Sequence, residues 1–271
     1  MTGPLSGRTA LVTGGSRGIG AASAEELARL GAHVVLTYRT EREAAERVAA
    51  GCRALAGTAY VLRADLDGTT VGADRLLEEL EATVGGVDIV VANATTAHVP
   101  GSLVDLQTEQ LLVKVAADLA AAHRLVRRLA PGMHSRGFGR FVLISSGHAE
   151  GPSAPGMAAY GIAKAAVEAL VRYAAAEEGH SGVTLNAVRP GFALTEASAR
   201  VPEAVRDGMR RAVPAGRLAV AEDIAGVLAL LAQPAAGWVN GICLPATGGL
   251  NHPIDWARIL PRPMPLPGGV R

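Results

Sequence analysis

Aromatic residues are scarce in this sequence, at 3% of 271 positions, and the formal net charge is only +1. Single-stranded nucleic acids bind on stacked aromatic side chains, and nucleic acids and acidic membranes attract chains with a large excess of positive charge. We therefore expect neither nucleic acid nor a membrane as a partner. A small molecule is the class of partner that these absences favour.

Cysteines and long apolar runs are also lacking. The two cysteines, Cys52 and Cys243, lie far apart, and no other metal ligands are spaced around them. We predict free thiols in a reducing compartment and no metal site. No apolar run reaches the roughly 18 residues that a membrane span needs. Met1–Gly7 lacks the charged and apolar regions of a secretion signal, so we expect a cytoplasmic protein.

Short apolar runs alternate with longer amphipathic segments along the chain. The predicted strands are Thr9–Thr13, His33–Thr37, Ala59–Arg63, Val87–Ala92, Arg140–Ser145, Val183–Val188 and Ile242–Pro245. The predicted helices are Ala21–Leu30, Glu41–Leu55, Asp74–Thr83, Thr108–Leu129, Tyr160–Glu178 and Ala221–Leu231. Strands that are apolar throughout and separated by helices indicate βαβ units. We predict an α/β fold: one Rossmann-type doubly wound parallel sheet of about seven strands, with helices on both faces.

Two segments depart from this alternation. A long insertion at about 192–218 follows the sixth predicted strand, where such segments often form lids over a substrate. The end of the chain is rich in proline, which removes backbone donors and favours an extended conformation. We therefore expect a catalytic domain at 1–249 that carries the lid, and an extended tail at 250–271.

A glycine-rich turn, Thr13–Gly20 (TGGSRGIG), joins the first predicted strand to the first helix. Glycine permits positive φ and close approach of the backbone, and a helix N-terminus offers unpaired N–H groups to a phosphate. Its position at the first strand-to-helix junction is the one that a dinucleotide site needs. The predicted cofactor contacts here are Gly14, Ser16, Arg17, Gly18, Ile19 and Gly20.

The end of the second predicted strand indicates which dinucleotide binds. NAD enzymes usually carry an acid there to hold the ribose hydroxyls. This chain instead has Tyr38, Arg39 and Thr40, and a second guanidinium, Arg17, lies in the glycine turn. Two arginines suit a 2′-phosphate in forked, charge-assisted geometry. We predict that NADP(H) is the cofactor, with Arg39 and Thr40 among its contacts.

Tyr160 and Lys164 are four residues apart at the start of a predicted helix, so their side chains share one face. A tyrosine with a free pKa of roughly 10 exchanges protons poorly near neutrality. A nearby ammonium, together with the positive ring of an oxidised nicotinamide, lowers the pKa of the phenol. We therefore expect Tyr160 to give a proton to a carbonyl oxygen as hydride arrives, or to take it in reverse.

The glycine spacing TGxxxGxG, followed downstream by Tyr160 and Lys164, resembles the short-chain dehydrogenase/reductase family over about Arg8–Gly249. The resemblance implies a serine that hydrogen-bonds the substrate oxygen. Ser146 takes this place if the loop at 147–159 carries one extra residue, and Ser145 is the alternative. The resemblance also puts Asp118 where many members have an asparagine that holds a water for proton relay.

Further cofactor contacts are implied by the same resemblance. Thr95 departs from the family pattern, which has glycine after the Asn-Ala pair, and Thr247 departs from the usual aspartate near the last strand. The implied contacts are Asp65, Leu66, Asn93, Ala94, Tyr160, Lys164, Pro190, Gly191 and Thr195. The family also commonly forms dimers and tetramers, so we expect a homo-oligomer.

The spacing of the tyrosine and lysine favours reduction of a ketone to an alcohol over reduction of a C=C bond. Enoyl reductases of this type place the tyrosine seven residues before the lysine, and that position holds Met157. We predict an NADPH-dependent ketoreductase that tailors a polyketide in specialised, antibiotic-type metabolism. The candidate substrate-lining residues are Val99, Met157, Phe192 and Leu194.

Three alternatives stay open. A 3-oxoacyl thioester reductase would need a groove for an extended thiol arm, with a basic docking patch near Arg127 and Arg128. An enoyl reductase is a rival within the same family. A cofactor-binding subunit without catalysis is the third, since one fold serves several functions.

Overall fold

The computed structural model describes residues 3–66, 70–151, 154–196 and 198–250. The predicted proline-rich tail lies outside the described residues from 251 onward. Within the described ranges, the strands are β1 (Thr9–Val12), β2 (His33–Tyr38), β3 (Ala59–Arg63), β4 (Ile89–Ala92), β5 (Gly139–Ile144), β6 (Val183–Pro190), β7 (Ala193–Leu194), β8 (Ala219–Val220) and β9 (Cys243–Ala246). The helices are α1 (Gly18–Arg29), α2 (Arg42–Ala56), α3 (Thr70–Val84), α4 (Thr108–Ser135), α5 (Ala158–Glu178), α6 (Glu203–Ala212) and α7 (Ala221–Ala232).

Seven strands form one parallel sheet in the order β3-β2-β1-β4-β5-β6-β9. All seven strands predicted from the sequence are present in it, and the predicted doubly wound α/β fold is confirmed. The chain reverses its direction across the sheet between β1 and β4. In such sheets the crevice outside the carboxyl ends of the strands, at the reversal point, is where ligands bind.

Alternate side chains of the central strands enter two separate cores. Ala10 and Val12 of β1 pack with α1, α2 and α7 on one face of the sheet. Leu11, between them, packs with α3, α4 and α5 on the other face. Because a strand buries both faces here, its residues are apolar at every position, which is the pattern that made the strands recognisable in the sequence.

Helix α4 is longer than predicted: it ends at Ser135 and not at Leu129, and it includes Pro131. Proline interrupts a helix because it lacks an N–H group and crowds the preceding turn. Pro131 is exposed, however, whereas Met133 in the following turn is fully buried and packs against Gly139 of β5. Burial of this side chain holds the last turn of the helix despite the proline.

The predicted insertion at 192–218 contains β7 and α6, and β8 follows directly after it. The two short strands pair with each other and form a separate two-stranded sheet. Val205 and Met209 of α6 pack with Val213 and Leu218 in a small core of their own, against which Phe192 lies. The segment is thus a structured unit beside the main domain, and its action as a lid stays a prediction.

The outer faces of α4 and α5 expose large apolar side chains. Val113 is 67% exposed and Tyr173 is 73% exposed, and Leu112 and Ile162 are also exposed. Large exposed apolar side chains, where they gather into a patch, mark protein interfaces. This surface is a candidate for contact between subunits. The expected homo-oligomer stays a prediction. None of the helices described is both long and apolar enough to span a bilayer.

A buried carboxylate, Glu168, joins α5 to the ends of β5 and β6. It accepts a hydrogen bond from the hydroxyl of Ser145 at 2.5 Å and forked hydrogen bonds from the guanidinium of Arg189 at 2.6 and 2.7 Å. Burial alone would raise the pKa of Glu168, but the hydrogen bonds from Arg189 and Ser145 outweigh it and hold the pKa below its usual value. The ion pair therefore fixes α5 over the edge of the sheet.

We expect Glu168→Gln to lower the free energy of unfolding by about 3 kcal/mol at neutral pH, because it leaves the Arg189 charge half-buried and poorly paired. The control is Glu150→Gln, which removes an exposed partner of the same arginine and should cost less than about 1 kcal/mol.

The same pair of variants gives a pH dependence. Since the folded-state pKa of Glu168 is depressed, its contribution is complete above the unfolded pKa of roughly 4.3 and is lost as pH falls through the folded value. Denaturant unfolding should therefore show the difference between wild type and Glu168→Gln shrinking on acidification. An equal difference at neutral and strongly acidic pH would contradict the role assigned to this ion pair.

Candidate active site

The glycine-rich turn between β1 and α1 has the backbone that the sequence predicts. Gly14 and Gly18 have φ values of 65° and 53°, which side-chain-bearing residues rarely adopt. A Cβ on Gly20 would lie 2.2 Å from the carbonyl oxygen of Gly14, so the helix and the turn approach as closely as glycine allows. Helix α1 begins at Gly18, and the preceding Arg17 makes no side-chain cap. Its first N–H groups are therefore suited to an anion.

Asn93 and Thr37 brace this turn from neighbouring strands. The amide of Asn93 donates to the carbonyl oxygens of Thr13 and Gly14 at 3.0 and 3.1 Å. The hydroxyl of Thr37, a buried residue of β2, accepts from the N–H of Gly14 at 3.1 Å. Asn93 thus supports the turn through its amide nitrogen. The part played by Thr37 was missed in the sequence, where it looks like any strand residue.

A cleft of about 400 Å³ opens beside the turn, at the carboxyl ends of the strands. It brings together most of the predicted cofactor residues: Gly14, Ser16, Arg17, Gly18, Ile19, Arg39, Thr40, Asp65, Leu66, Asn93, Ala94, Tyr160, Lys164 and Thr195. Gly20, Pro190 and Gly191 are not among the residues that line the cleft. Gly20 is packed against the turn, and a Cβ on Gly191 would meet Thr247 at 3.0 Å. The cofactor contacts predicted at these three residues stay a prediction.

The cleft fits a dinucleotide with an extra phosphate. Its floor is the uncapped start of α1, where a pyrophosphate can accept hydrogen bonds from backbone N–H groups. Its rim carries the exposed side chains of Arg17 and Arg39. Within the described part of the chain, neither guanidinium forms an ion pair. The two charges are therefore available for a phosphate on the ribose.

Tyr160 lies at the inner end of the cleft with a serine and a lysine beside it. The hydroxyls of Ser146 and Tyr160 are hydrogen-bonded, and the Lys164 ammonium lies 5.7 Å from the centroid of the Tyr160 ring. Lys164 donates to the carbonyl oxygen of Ile144 at 3.0 Å. Ser145, the alternative serine, is buried and points to Glu168. The geometry therefore places Ser146, and not Ser145, next to the tyrosine.

In the protein alone, the pKa of Tyr160 does not move in the expected direction; the joint effect expected from Lys164 and an oxidised nicotinamide stays a prediction. The pKa of Tyr160 is raised, because burial disfavours the phenolate and the carboxylate of Asp118 opposes it, while the hydrogen bond from Ser146 only partly compensates. Lys164 itself has a pKa lowered to about 8, because it is buried; Asp118 raises the value and Lys114 lowers it. The sequence could not indicate this, since burial depends on the packing of α4 against α5.

Asp118 forms a buried ion pair that the sequence analysis missed. Lys114, one turn earlier on α4, lies 2.9 Å from its carboxylate, and both side chains are almost completely buried. Burial alone would raise the pKa of Asp118, but the charges of Lys164 and Lys114 and the hydrogen bonds from Lys114 and Thr96 hold it low. One signal was available: Lys114 and Lys164 are the only lysines among the 26 basic residues.

The four predicted substrate-lining residues lie on three different segments of the chain. Met157 forms a β-bridge with Gly101, which brings the loop that contains Val99 close to the start of α5. Phe192 packs on the α6 cluster, and Leu194 pairs with Val220. None of the four lines the large cleft or the cavity of about 20 Å³ behind Lys164.

Two histidines that the sequence analysis did not single out flank the tyrosine. The rings of His98 and His148 lie edge-on to the Tyr160 ring, with centroids 6.2 and 5.8 Å away. Burial, followed by the charge of Lys114, lowers the pKa of His98. Burial and His98 together lower the pKa of His148 to about 4. Both imidazoles are therefore neutral at physiological pH and present polar aromatic walls beside the tyrosine.

Comparisons with known proteins agree with this geometry. A family model described as enoyl-(acyl carrier protein) reductase matches residues 14–251. The chain is similar to a 3-oxoacyl-(acyl-carrier-protein) reductase from Pseudomonas aeruginosa, with 37% identity over 91% of this chain and 98% of the relative. It is also similar to a hydroxynaphthalene reductase-like protein from Metarhizium guizhouense, with 36% identity over 90% and 95% of the two chains.

A solved structure gives the same result. The crystal structure of a 3-oxoacyl (acyl-carrier-protein) reductase from Agrobacterium tumefaciens with NADP bound is 34% identical, covers 90% of this chain and 95% of its own, and superimposes with a TM-score of 0.81. With the glycine turn, the cleft and the serine, tyrosine and lysine all in place, the chain belongs to the short-chain dehydrogenase/reductase family.

Proposed function

We propose that this protein is an NADPH-dependent ketoreductase, with Tyr160 as the proton donor to the carbonyl oxygen. The observation that carries the proposal is the position of Tyr160, hydrogen-bonded to Ser146 and adjoining Lys164, at the inner end of the dinucleotide-sized cleft. The bound cofactor would supply hydride to the carbonyl carbon. The chain itself has to hold the ketone, exclude water and deliver the proton.

The roles of the three side chains follow from their chemistry. Ser146 donates a hydrogen bond to the carbonyl oxygen, which becomes negative as the carbon accepts hydride. Tyr160 transfers its proton to that oxygen, so the C=O bond becomes CH–OH and the tyrosine is left as a phenolate. The Lys164 ammonium stabilises the phenolate, which the protein without ligands disfavours. Solvent then returns the proton.

The cofactor is NADP(H) in this proposal. Arg17 and Arg39 line the rim of the cleft, and the similar reductase from Agrobacterium tumefaciens was solved with NADP bound. Asp65, the nearest acid after β3, lines the same cleft beyond β2 and suits the adenine. The predicted contacts at Thr40, Leu66, Asn93, Ala94 and Thr195 stay part of this proposal.

Reduction of a C=C bond is the weaker candidate, although the matched family model is described as an enoyl reductase. The residue seven positions before Lys164 is Met157, which stands at the N-cap of α5 and has no proton to give. Tyr160 stands four positions before Lys164, and the two side chains share the inner end of the cleft. A non-catalytic role is also disfavoured, because serine, tyrosine and lysine are all positioned for chemistry.

An aromatic polyketide ketone is our leading substrate class. The neutral rings of His98 and His148 form polar walls beside Tyr160, and a flat ketone that carries hydroxyl groups could contact them by ring edges and hydrogen bonds. The similarity to a hydroxynaphthalene reductase-like protein supports this class. The alternative is a 3-oxoacyl thioester, supported by the relative from Pseudomonas aeruginosa and by the exposed Arg127 and Arg128 on α4, which suit an acidic carrier protein.

A panel of substrates separates the two classes. We expect NADPH consumption with 1-tetralone and hydroxylated tetralones to exceed that with the N-acetylcysteamine thioester of acetoacetate by about tenfold or more in kcat/KM. His148→Ala removes one of the two rings that would contact a flat ketone. It should reduce tetralone turnover more than thioester turnover. The reverse order of substrates would favour the thioester reductase.

The adjacent serines provide a matched pair of variants for the catalytic assignment. Ser146→Ala should lower kcat by roughly 10²–10³, because it removes a donor to the developing oxyanion. Ser145→Ala should leave kcat within about threefold and lower the melting temperature instead, because that hydroxyl bonds Glu168. Tyr160→Phe should abolish measurable turnover. If Ser145→Ala were the inactive variant, or Tyr160→Phe an active one, the assignment would be wrong.

Exchange of an arginine for an acid tests the cofactor. Arg39→Asp should lower the preference for NADPH over NADH, taken as the ratio of kcat/KM values, by about 100-fold, because it removes a guanidinium from the 2′-phosphate and introduces repulsion. Arg42→Asp makes the same charge change three residues later, outside the cleft lining, and should change the ratio less than about threefold. Unaltered preference in Arg39→Asp would overturn the assignment to NADPH.

A further inference from the structure

Lys114 occupies an environment that a lysine enters only with full compensation. The side chain is 2% exposed, and it is among the largest fully buried side chains in the described part of the protein. Its ammonium donates to the hydroxyl of Thr95 at 2.9 Å, to the carbonyl oxygen of Thr96 at 2.9 Å and to Asp118 at 3.0 Å. A buried charge with these partners is costly to form and is severely disrupted when one partner is removed.

Hydroxyl groups close the network between this lysine and the aspartate. Thr95 accepts from Lys114 and donates to Asp118 at 2.9 Å. Thr96 accepts from Lys114 at 3.1 Å and donates to Asp118 through its hydroxyl and its backbone N–H, at 3.0 and 3.1 Å. The carboxylate thus accepts from several protein donors at once. It is held in one orientation and directed chiefly at Lys114.

The network lies directly against the proposed proton donor. The Lys114 ammonium is 5.5 Å from the centroid of the Tyr160 ring, and the Lys164 ammonium is 5.7 Å from it. Asp118 lies between the two lysines, 2.9 Å from Lys114 and 4.0 Å from Lys164. With all three charged, Tyr160 faces one net positive charge. Without Lys114, Asp118 would neutralise Lys164 and the net charge would be zero.

The remaining groups around Tyr160 do not replace this charge. Ser146 is neutral, and His98 and His148, whose pKa values are lowered, are neutral at physiological pH. The charged groups that face the phenol within the described residues are those on α4 and α5, namely Lys114, Asp118 and Lys164. The sign of the local field therefore depends on the balance of two ammonium groups against one carboxylate.

We propose that Lys114 is a positioning residue that pairs with Asp118 and thereby leaves the charge of Lys164 free to stabilise the Tyr160 phenolate. The aspartate stands where many related enzymes have a neutral asparagine, so the lysine offsets the added negative charge. Thr95, where those enzymes have glycine, supplies a hydroxyl that links the two. The two departures from the family pattern, Thr95 and Asp118, thus form one compensated unit with Lys114. This inference rests on the proposed function, in which Tyr160 is the proton donor.

The chain offers a direct measurement of this balance, because Lys114 and Lys164 are its only lysines. Protein made with carbon-13-labelled lysine gives two side-chain resonances, and in Lys114→Met the remaining one belongs to Lys164. Loss of a neighbouring positive charge should raise the pKa of Lys164 above its value of about 8. Asp118→Asn should lower the pKa of Lys164. In the double variant, Lys114→Met with Asp118→Asn, this pKa should lie between those of the two single variants.

The enzymatic readout is the pH profile of 1-tetralol oxidation with NADP⁺, in which Tyr160 must be deprotonated. Lys114→Met should shift the acidic limb of kcat/KM upward by about one to two pH units, and Asp118→Asn should shift it downward. The double variant should lie between them. Opposite shifts with recovery in the double variant are not a consequence of general unfolding, which would lower activity in every variant without this order.

Failure of this inference is distinguishable from failure of the proposed function. Turnover in Tyr160→Phe would remove the tyrosine as proton donor, whatever the lysine resonances show. If Tyr160→Phe is inactive but the Lys164 resonance titrates identically in wild type and Lys114→Met, then Lys114 does not control the charge at this site. A pH profile that shifts in the same direction in both single variants would also overturn the proposal.

Discussion

The site depends on a lysine that must remain charged while it is fully buried. Lys164 lines the cleft, where burial lowers its pKa to about 8, and its contacts with Asp118 and the carbonyl oxygen of Ile144 partly offset the loss of water. Those contacts come from α4 and from the end of β5. The chemistry of the tyrosine therefore depends on how α4, α5 and the sheet edge pack together, and not on the tyrosine and lysine alone.

Helix α5 carries the residues through which that packing forms the site. Tyr160 and Lys164, one turn apart, face the cleft, and Glu168, a further turn along, ties the helix to Ser145 and Arg189. Adjacent residues of a strand point in opposite directions, so while Ser145 is held by Glu168, its neighbour Ser146 is directed to Tyr160. The Glu168 ion pair and the hydrogen bond to Tyr160 thus involve successive serines, and the first positions the second.

Local patterns in the sequence were sufficient for the fold and for the centre of the site. Strands buried on both faces are apolar throughout, a glycine turn at the first strand-to-helix junction has few other uses, and a spacing of four places Tyr160 and Lys164 together on any helix. The passage of α4 through Pro131 was not predictable in this way, because it follows from the burial of Met133 against another element.

Electrostatics were the part that local patterns did not determine. Lys114 and Asp118 are four residues apart, a spacing that occurs often in helices. The pair becomes important because the loop at Thr95 and Thr96 closes over it and hydrogen-bonds to both residues. The same burial raises the pKa of Tyr160, contrary to the expectation from the neighbouring lysine. Sequence identifies which groups are present, whereas their protonation depends on which of them share a buried volume.

The central claim is that hydride and proton are added across a C=O bond. The most direct test is reduction of 2-cyclohexenone, which offers both a carbonyl and a C=C bond, with NADPH deuterated at the transferring position. Analysis of the product by mass spectrometry and NMR locates the deuterium. The account predicts an allylic alcohol with deuterium on the carbinol carbon. A saturated ketone with deuterium on the carbon β to the carbonyl would contradict it and identify the protein as an enoyl reductase.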